Sequence, residues 1–298
     1  MPDYTQTELN LFNKGLNELP DDIHLYTNLE KLNCENNNIT QLDNLPQSLK
    51  ELSCDYNKIT QLDNLPQNLK TLFCRHNNII YLDNLPPNLE ELICDNNEIT
   101  QLDNLPINLK LLECFCNKIT KLSNLPQGIE SLYCSLNYIT HLDNLPQSVN
   151  ILWCYNNQLT QLDNLPPNLE FLNCRNNNIT HLDNLPQSLK DLGCSQNNIT
   201  QLDNLPPNLK ILNCITNQLT QLDNLPQSLI ELYCVRNRLT HLDNLPPNLE
   251  KLYCYNNKIT KLNNLPHRLE ELKCNKNPLE YDFEPTLANI RNYLASIG

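Results

Sequence analysis

Leu49-Lys50-Glu51-Leu52-Ser53-Cys54-Asp55-Tyr56-Asn57-Lys58-Ile59-Thr60-Gln61-Leu62-Asp63-Asn64-Leu65-Pro66-Gln67-Asn68 is one twenty-residue unit, and most of the chain consists of its near-copies. Thirteen units start at Leu29, Leu49, Leu69, Leu89, Leu109, Ile129, Val149, Leu169, Leu189, Leu209, Leu229, Leu249 and Leu269, the last truncated. An imperfect half-unit, Leu9-x-Leu11 followed by Leu16-x-x-Leu19-Pro20, precedes them. A fixed short period means stacked copies of one supersecondary unit, each contacting its neighbours. The expected division is a half-repeat and cap over 1–28, repeats over 29–279, and a C-terminal cap over 280–298.

Within the unit, Leu52 and Cys54 alternate with Glu51, Ser53 and Asp55. This period-two pattern predicts a short strand with Leu52 and Cys54 facing inward. An asparagine follows at Asn57 and at the same place in every unit through Asn277. A buried amide there can pair the backbone groups exposed where each coil leaves its strand, including those of the next coil. Ile59, Leu62 and Leu65 return to the core, and Pro66 holds the return leg extended and non-helical. Strands related by a fixed translation must be parallel. The expected architecture is therefore a solenoid with a long parallel sheet on its concave face, extended convex legs and weak curvature. In the tail, Pro285 suits a first helical turn. Leu287, Ile290, Leu294 and Ile297 then share one face, predicting a capping helix from about Glu284 to Ile297.

The pattern L-x-x-L-x-C-x-x-N-x-I-x-x-L-D-N-L-P-x-x over about residues 9 to 279 resembles the leucine-rich repeats. It is similar to the twenty-residue class of bacterial type III effectors, including the Leu-Pro of the return leg from Leu45-Pro46 to Leu265-Pro266. The Cys slot, the L-D-N-L-P leg and an AT-rich residue usage are most similar to the repeat proteins of giant amoeba-infecting viruses. Some effectors carry a helical secretion leader or a C-terminal ubiquitin-ligase domain with a nucleophilic cysteine. Glu280 to Gly298 is too short for such a domain, so ligase activity is not expected.

A formal charge of -13 argues against nucleic acid, which needs a basic stripe. No apolar run approaches a membrane span, and Met1 to Asn10 does not read as a signal peptide. A cytoplasmic protein is expected, in the host cytoplasm if viral. Of 14 cysteines, thirteen recur every twenty residues from Cys34 to Cys274. One thiol per repeat in one register is a core position rather than a disulfide framework. Cys116 lies outside the series, on an exposed strand flank.

Function is sought where the repeat leaves residues free. Three outward columns are expected, beginning at Lys31, Asn33 and Glu35. They gather Leu111, Phe115, Tyr133, Ile151, Trp153, Tyr155 and Phe171 on four consecutive coils. A second group holds Ile211, Ile215, Tyr233, Val235, Tyr253 and Tyr255, with Gly193 as a shallow gap between the two. Exposed aromatics are interface anchors, although sheets favour such residues anyway. Glu35, Glu51, Asp55, Glu91 and Asp95 form an acidic stretch, read as a solvated face rather than a means of steering a basic partner. The Asp43-to-Asp243 column is read as carboxylates accepting N–H bonds in their own turns, with a cation-lined ridge as the sharper alternative. His141, His181 and His241 are too far apart for one metal. No catalytic pair, metal site or cofactor motif is legible. The reading is a non-enzymatic scaffold holding a protein on its strand face. The alternative is a structural or particle-associated repeat protein, and association through the sparsely capped N-terminal end is a further expectation.

Overall fold

The computed structural model describes residues 2–297, the side chain of Ile297 excepted. Fourteen three-residue strands follow one another in the sheet in chain order, from β1 (Glu8–Asn10), β2 (Lys31–Asn33) and β3 (Glu51–Ser53) to β13 (Lys251–Tyr253) and β14 (Glu271–Lys273). The half-unit supplies β1, so it is a genuine first coil. Its longer return contains a 3-10 turn, Ile23–Leu25, with Ile23 buried. Two compact units divide the chain, Met1–Leu152 and Trp153–Gly298. In the first, the registers run Leu9 to Leu32, Leu32 to Leu52 and onward to Leu132. In the second, Leu172 pairs with Leu192 and the same step continues to Leu272. From β2 onward these shifts of twenty residues per strand are the repeat period itself. The first step of twenty-three carries the longer return of the half-unit, so each apolar column becomes an inward ridge.

The core is that ridge. Leu52, Cys54, Ile59 and Leu69 have no exposed surface, and neither do their counterparts Leu192, Cys194, Ile199 and Leu209. The thiols of Cys54, Cys74, Cys94, Cys114 and Cys214 each sit under a carbonyl of the next coil. Cys54 donates its N–H to Phe73 O at 2.8 Å and its S–H to the same oxygen at 3.2 Å. Cysteine thus fills a small apolar slot and also uses the second lone pair of a ladder carbonyl.

The asparagine column works as expected in kind, with one correction of direction. Asn57 donates Nδ2–H bonds to Cys54 O in its own coil at 3.1 Å and to Cys34 O in the preceding coil at 3.0 Å. Its Oδ1 accepts from Ile39 N at 2.9 Å. The amide therefore reaches back one coil, not forward: it pairs the Ile39 N–H and gives Cys34 C=O, which Asn37 Nδ2 also meets at 2.9 Å, a second donor.

Two residues per coil adopt the left-handed conformation, which the repeat pattern alone did not indicate. One is the Asn of L-D-N-L-P, such as Asn64 at φ 58°. Asparagine tolerates that region best among residues with a side chain, which accounts for its recurrence there. The other follows the strand and holds whatever the sequence offers, including Leu136 at φ 57° and Thr216 at φ 56°. Leu136 is 43% exposed, so its side chain adds little to the core. Leu136→Asn and Thr216→Asn are each expected to stabilise the chain by about 1 kcal/mol, the order of left-handed strain. A urea midpoint that stays put or falls would contradict this.

Pro66 O accepts from Leu69 N at 3.1 Å, and the equivalent turn recurs along the chain. Among the described residues no helix lies in the return legs between 29 and 279.

The C-terminal helix α1 spans Leu287–Ile297, starting three residues later than expected. Thr286 displaces the start by acting as cap, its Oγ1 accepting from Asn289 N at 3.2 Å. Ile290 is fully buried, and Leu287 and Leu294 are half-buried. The proposed contribution of Ile297 lies outside the described side chains. Arg291 Nη2 faces the carbonyls of Pro266, His267 and Leu269 at 2.9–3.1 Å, and Tyr281 ties down Leu262 through its hydroxyl. Among the described residues no helix is long and apolar enough to cross a membrane.

Candidate functional site: the strand face

The first two outward columns behave as the alternation predicts, with strand residues mostly half-buried on either side of the buried leucine. Ile93 is an exception, at 3% exposure. The third column needs correction, since several of its members are buried: Asp55 and Asp95 in the first unit, Ser195 and Val235 in the second. Rungs of a parallel sheet are about 4.8 Å apart. Larger side chains on neighbouring rungs, such as Arg75 beside Asp55, therefore close over smaller ones.

In the first unit, the acidic stretch is not a plain solvated face. Arg75 lies at the centre of three carboxylates. Its Nη1 is 3.3 Å from Asp55, its Nε 3.2 Å from Asp95 and its Nη2 3.3 Å from Glu113. The guanidinium carbon is also 5.6 Å from the centre of the Phe73 ring. Asp55 accepts Arg75 N–H at 2.6 Å and Asp95 accepts Phe115 N–H at 2.8 Å. Burial nevertheless pushes both aspartates above the usual carboxylate range, against the opposing pull of these N–H groups and of Arg75. Burial alone would lower Arg75; the carboxylates, led by Asp55, raise it instead. The signal was present in sequence, since an arginine between aspartates one rung above and below must meet both.

The aromatic residues fall into sets within each unit. In the first, Leu111 and Glu113 lie on β6 (Leu111–Glu113), Tyr133 on β7 (Ser131–Tyr133) and Ile151 on β8 (Ile151–Trp153). Phe115 follows β6, its ring 5.8 Å from that of Tyr133. Leu111, Phe115, Tyr133 and Ile151 are half-buried. Burial, then the Glu113 charge, raises the Tyr133 phenol.

In the second unit, Trp153 is 39% exposed and Phe171 40%. Trp153 lies 6.3 Å from Tyr155, ring to ring. Tyr233 and Tyr253 meet edge to face at 5.0 Å. Their hydroxyls donate to Glu231 and Glu271, each at 2.6 Å, and Lys273 Nζ stands 4.1 Å over the Tyr253 ring. Burial first, then the Glu231 bond, drives the Tyr233 phenol well up. Tyr255 is half-buried beside them. The gap expected at Gly193 is filled: a Cβ there would meet Asn173 Oδ1 at 3.2 Å.

The remaining candidates resolve as follows. All thirteen ladder thiols are buried and Cys116 is exposed. Burial pushes Cys134, Cys174 and Cys214 up to about 12, which suppresses the thiolate that metal or redox chemistry needs. The Asp43-to-Asp243 column is almost wholly exposed. No backbone N–H among the described residues donates to those carboxylates, so solvent rather than turn bonding relieves their repulsion. No group of three or more His, Cys, Asp or Glu among the described residues is placed to hold a metal ion. His141, His181 and His241 each contact the hydroxyl of the preceding threonine at 2.9–3.0 Å.

No protein-family model matches the chain, and no curated protein does. Solved structures do match. YopM from Yersinia pestis, a leucine-rich effector protein, is 34% identical, with 94% of this chain and 86% of that one covered at a TM-score of 0.80. YopM from Yersinia enterocolitica WA-314 is 32% identical over 87% of this chain and 67% of that one, at 0.70. The functional domain of InlJ from Listeria monocytogenes, which includes a cysteine ladder, is 34% identical over 92% of this chain and 64% of that one, at 0.82. One-third identity spread over most of both chains, on fourteen short strands stacked in chain order, is more than a shared shape: this chain belongs to the leucine-rich-repeat family, with repeats of the short class.

Proposed function

We propose that this chain is a non-enzymatic scaffold that binds another protein on its strand face. The observation that carries the reading is aromatic surface left open on strands. Trp153 and Phe171 keep about two-fifths of their surface exposed, although the other large apolar strand side chains among the described residues are more enclosed. Large exposed aromatics are where protein interfaces concentrate binding energy. The repeated polar groups are committed elsewhere, since asparagines such as Asn57 spend their amides on backbone. That leaves the variable outward residues to do the recognising. The half-buried Tyr233, Tyr253 and Tyr255 are the proposed supporting contacts within the second unit, and Leu111, Phe115, Tyr133 and Ile151 are proposed as contacts of the first unit by itself. The likeness of the Cys slot and the L-D-N-L-P leg to giant-virus repeat proteins supports a host cytoplasm as the setting.

A Trp153→Ala, Tyr155→Ala double variant is expected to weaken binding to a partner isolated with the wild-type chain by at least about tenfold, the scale of losing one interface anchor. Trp153 is the sole tryptophan, so its emission reports the same event and should shift to the blue on addition of that partner. Full retention of affinity by the double variant would place the site elsewhere.

A further inference from the structure

We propose that the strand face of the first unit docks an extended basic segment of a partner protein, a run of arginine or lysine residues interspersed with apolar ones. This deepens the strand-face reading and rests on it. The charge on this face is lopsided. Besides the three carboxylates around Arg75, the outward columns carry Glu8, Glu35, Glu51 and Glu91, and the cations opposing all seven are Lys31 and Arg75. In the second unit the same columns balance, with Asp191, Glu231 and Glu271 against Arg175, Lys251 and Lys273. The excess is therefore a property of these particular coils and not of the repeat.

The shape fits as well. A basin of about 570 Å³ lies over the first four strands, rimmed by Glu8, Glu35, Glu51 and Lys31 and floored in part by Phe73 beside Arg75. Its carboxylates are unevenly used. Lys31 pairs with Glu51 at 3.2 Å and Ser53 donates to Glu35, but Glu8 forms no ion pair among the described residues, and neither does Glu91, which lies outside the basin in the same outward column. Arg75 shows how this surface accommodates a guanidinium: carboxylates around it and an aromatic ring at one side. Asp55 and Asp95 remain pushed toward the neutral form by burial even with Arg75 in place. A further cation nearby would lower that cost. In an extended chain every second side chain faces the same way, so alternate arginines or lysines can meet the acids together, with the Phe73 ring beside them as it is beside Arg75.

The test uses the full chain and a fluorescein-labelled nine-residue peptide alternating arginine and leucine, with a glutamate–leucine counterpart, read by anisotropy. The wild type is expected to bind the first and not the second, with affinity falling as salt rises. Glu8→Gln, Glu35→Gln, Glu91→Gln should weaken binding at least about tenfold. The control Asp163→Asn, Asp183→Asn, Asp203→Asn removes equal charge from return legs and should stay within about twofold. Should the triple face variant unfold at lower urea than the wild type, the Glu8→Gln, Glu91→Gln pair, which breaks no ion pair, carries the test with an expected loss of about threefold. Equal losses in face and leg variants, or no loss in the face variants, would overturn the proposal. So would a Trp153→Ala, Tyr155→Ala chain that no longer holds the basic peptide. A wild type that ignores the peptide while partner capture still depends on Trp153 would sink this inference alone.

Discussion

Raising the pH from 8 to about 10 is expected to unfold this protein. Burial pushes twelve ladder thiols upward, Cys134, Cys174 and Cys214 to about 12 and Cys274 to about 11. In the unfolded chain a thiol ionises near 8.5. The sign follows from linkage. A folded value above the unfolded one contributes stability below pH 8.5, and that stability is lost as pH climbs toward the folded value. At pH 10 each thiol costs about 2 kcal/mol, since one pH unit past the unfolded pKa is worth about 1.4 kcal/mol. Twelve such costs together exceed the roughly 5–15 kcal/mol stability of an ordinary domain. A protein with one buried cysteine would barely notice the change; a ladder multiplies it. Far-UV circular dichroism against pH checks the point, and a signal and urea midpoint unchanged to pH 10.5 would show the thiols to be less enclosed than the packing implies.

The second large effect belongs to the asparagine column. Asn197 donates to Cys174 O at 3.0 Å and Cys194 O at 3.1 Å and accepts from Ile179 N at 3.0 Å. It is 7% exposed, so water cannot easily replace it. Asn197→Ala strands the Ile179 N–H outright and takes one of two amide donors from each carbonyl, since Asn177 still donates to Cys174 O and Asn217 to Cys194 O, each at 3.0 Å. At about 1–3 kcal/mol for the buried N–H left unpaired and about 0.5–1.5 kcal/mol for each hydrogen bond the carbonyls lose, a loss of about 3 kcal/mol is expected. Contacts in a repeat stack run mainly between neighbours, so the loss should appear first as faster amide exchange at Ile179 and nearby residues. Exchange unchanged there, with an unchanged urea midpoint, would mean the column is replaceable by solvent. Asn197→Asp is no rescue, because it supplies an acceptor where two donors are needed.

Both effects come from positions that repeat, and those were legible without coordinates. Period-two alternation at Leu52 and Cys54 implied a strand, the fixed translation implied parallel pairing, and one buried asparagine per unit implied backbone pairing. Less legible was anything depending on the neighbouring coil's actual side chain. The third column was read as outward throughout, yet Asp55, Asp95 and Val235 are buried, the two aspartates beside the Arg75 that pairs with both. Gly193 was read as a gap and is filled by Asn173. The start of α1 moved to Leu287 because Thr286 caps it, a local hydrogen bond that an apolar stripe does not report.

What the sequence determined by itself is the solenoid: a twenty-residue period leaves one way to bury thirteen copies of the same apolar edge, by stacking them in register. What only the tertiary structure decided is the character of the strand face. Whether a carboxylate there is a free charge or part of an arginine clamp depends on side chains twenty residues apart that meet across one rung. That meeting turned part of an acidic stretch into the Arg75 cluster, while Glu8 and Glu91 form no ion pair among the described residues. The physical reason is one of scale. Backbone periodicity is set within a unit, whereas the screening and pairing of charges are set by their nearest neighbours in space.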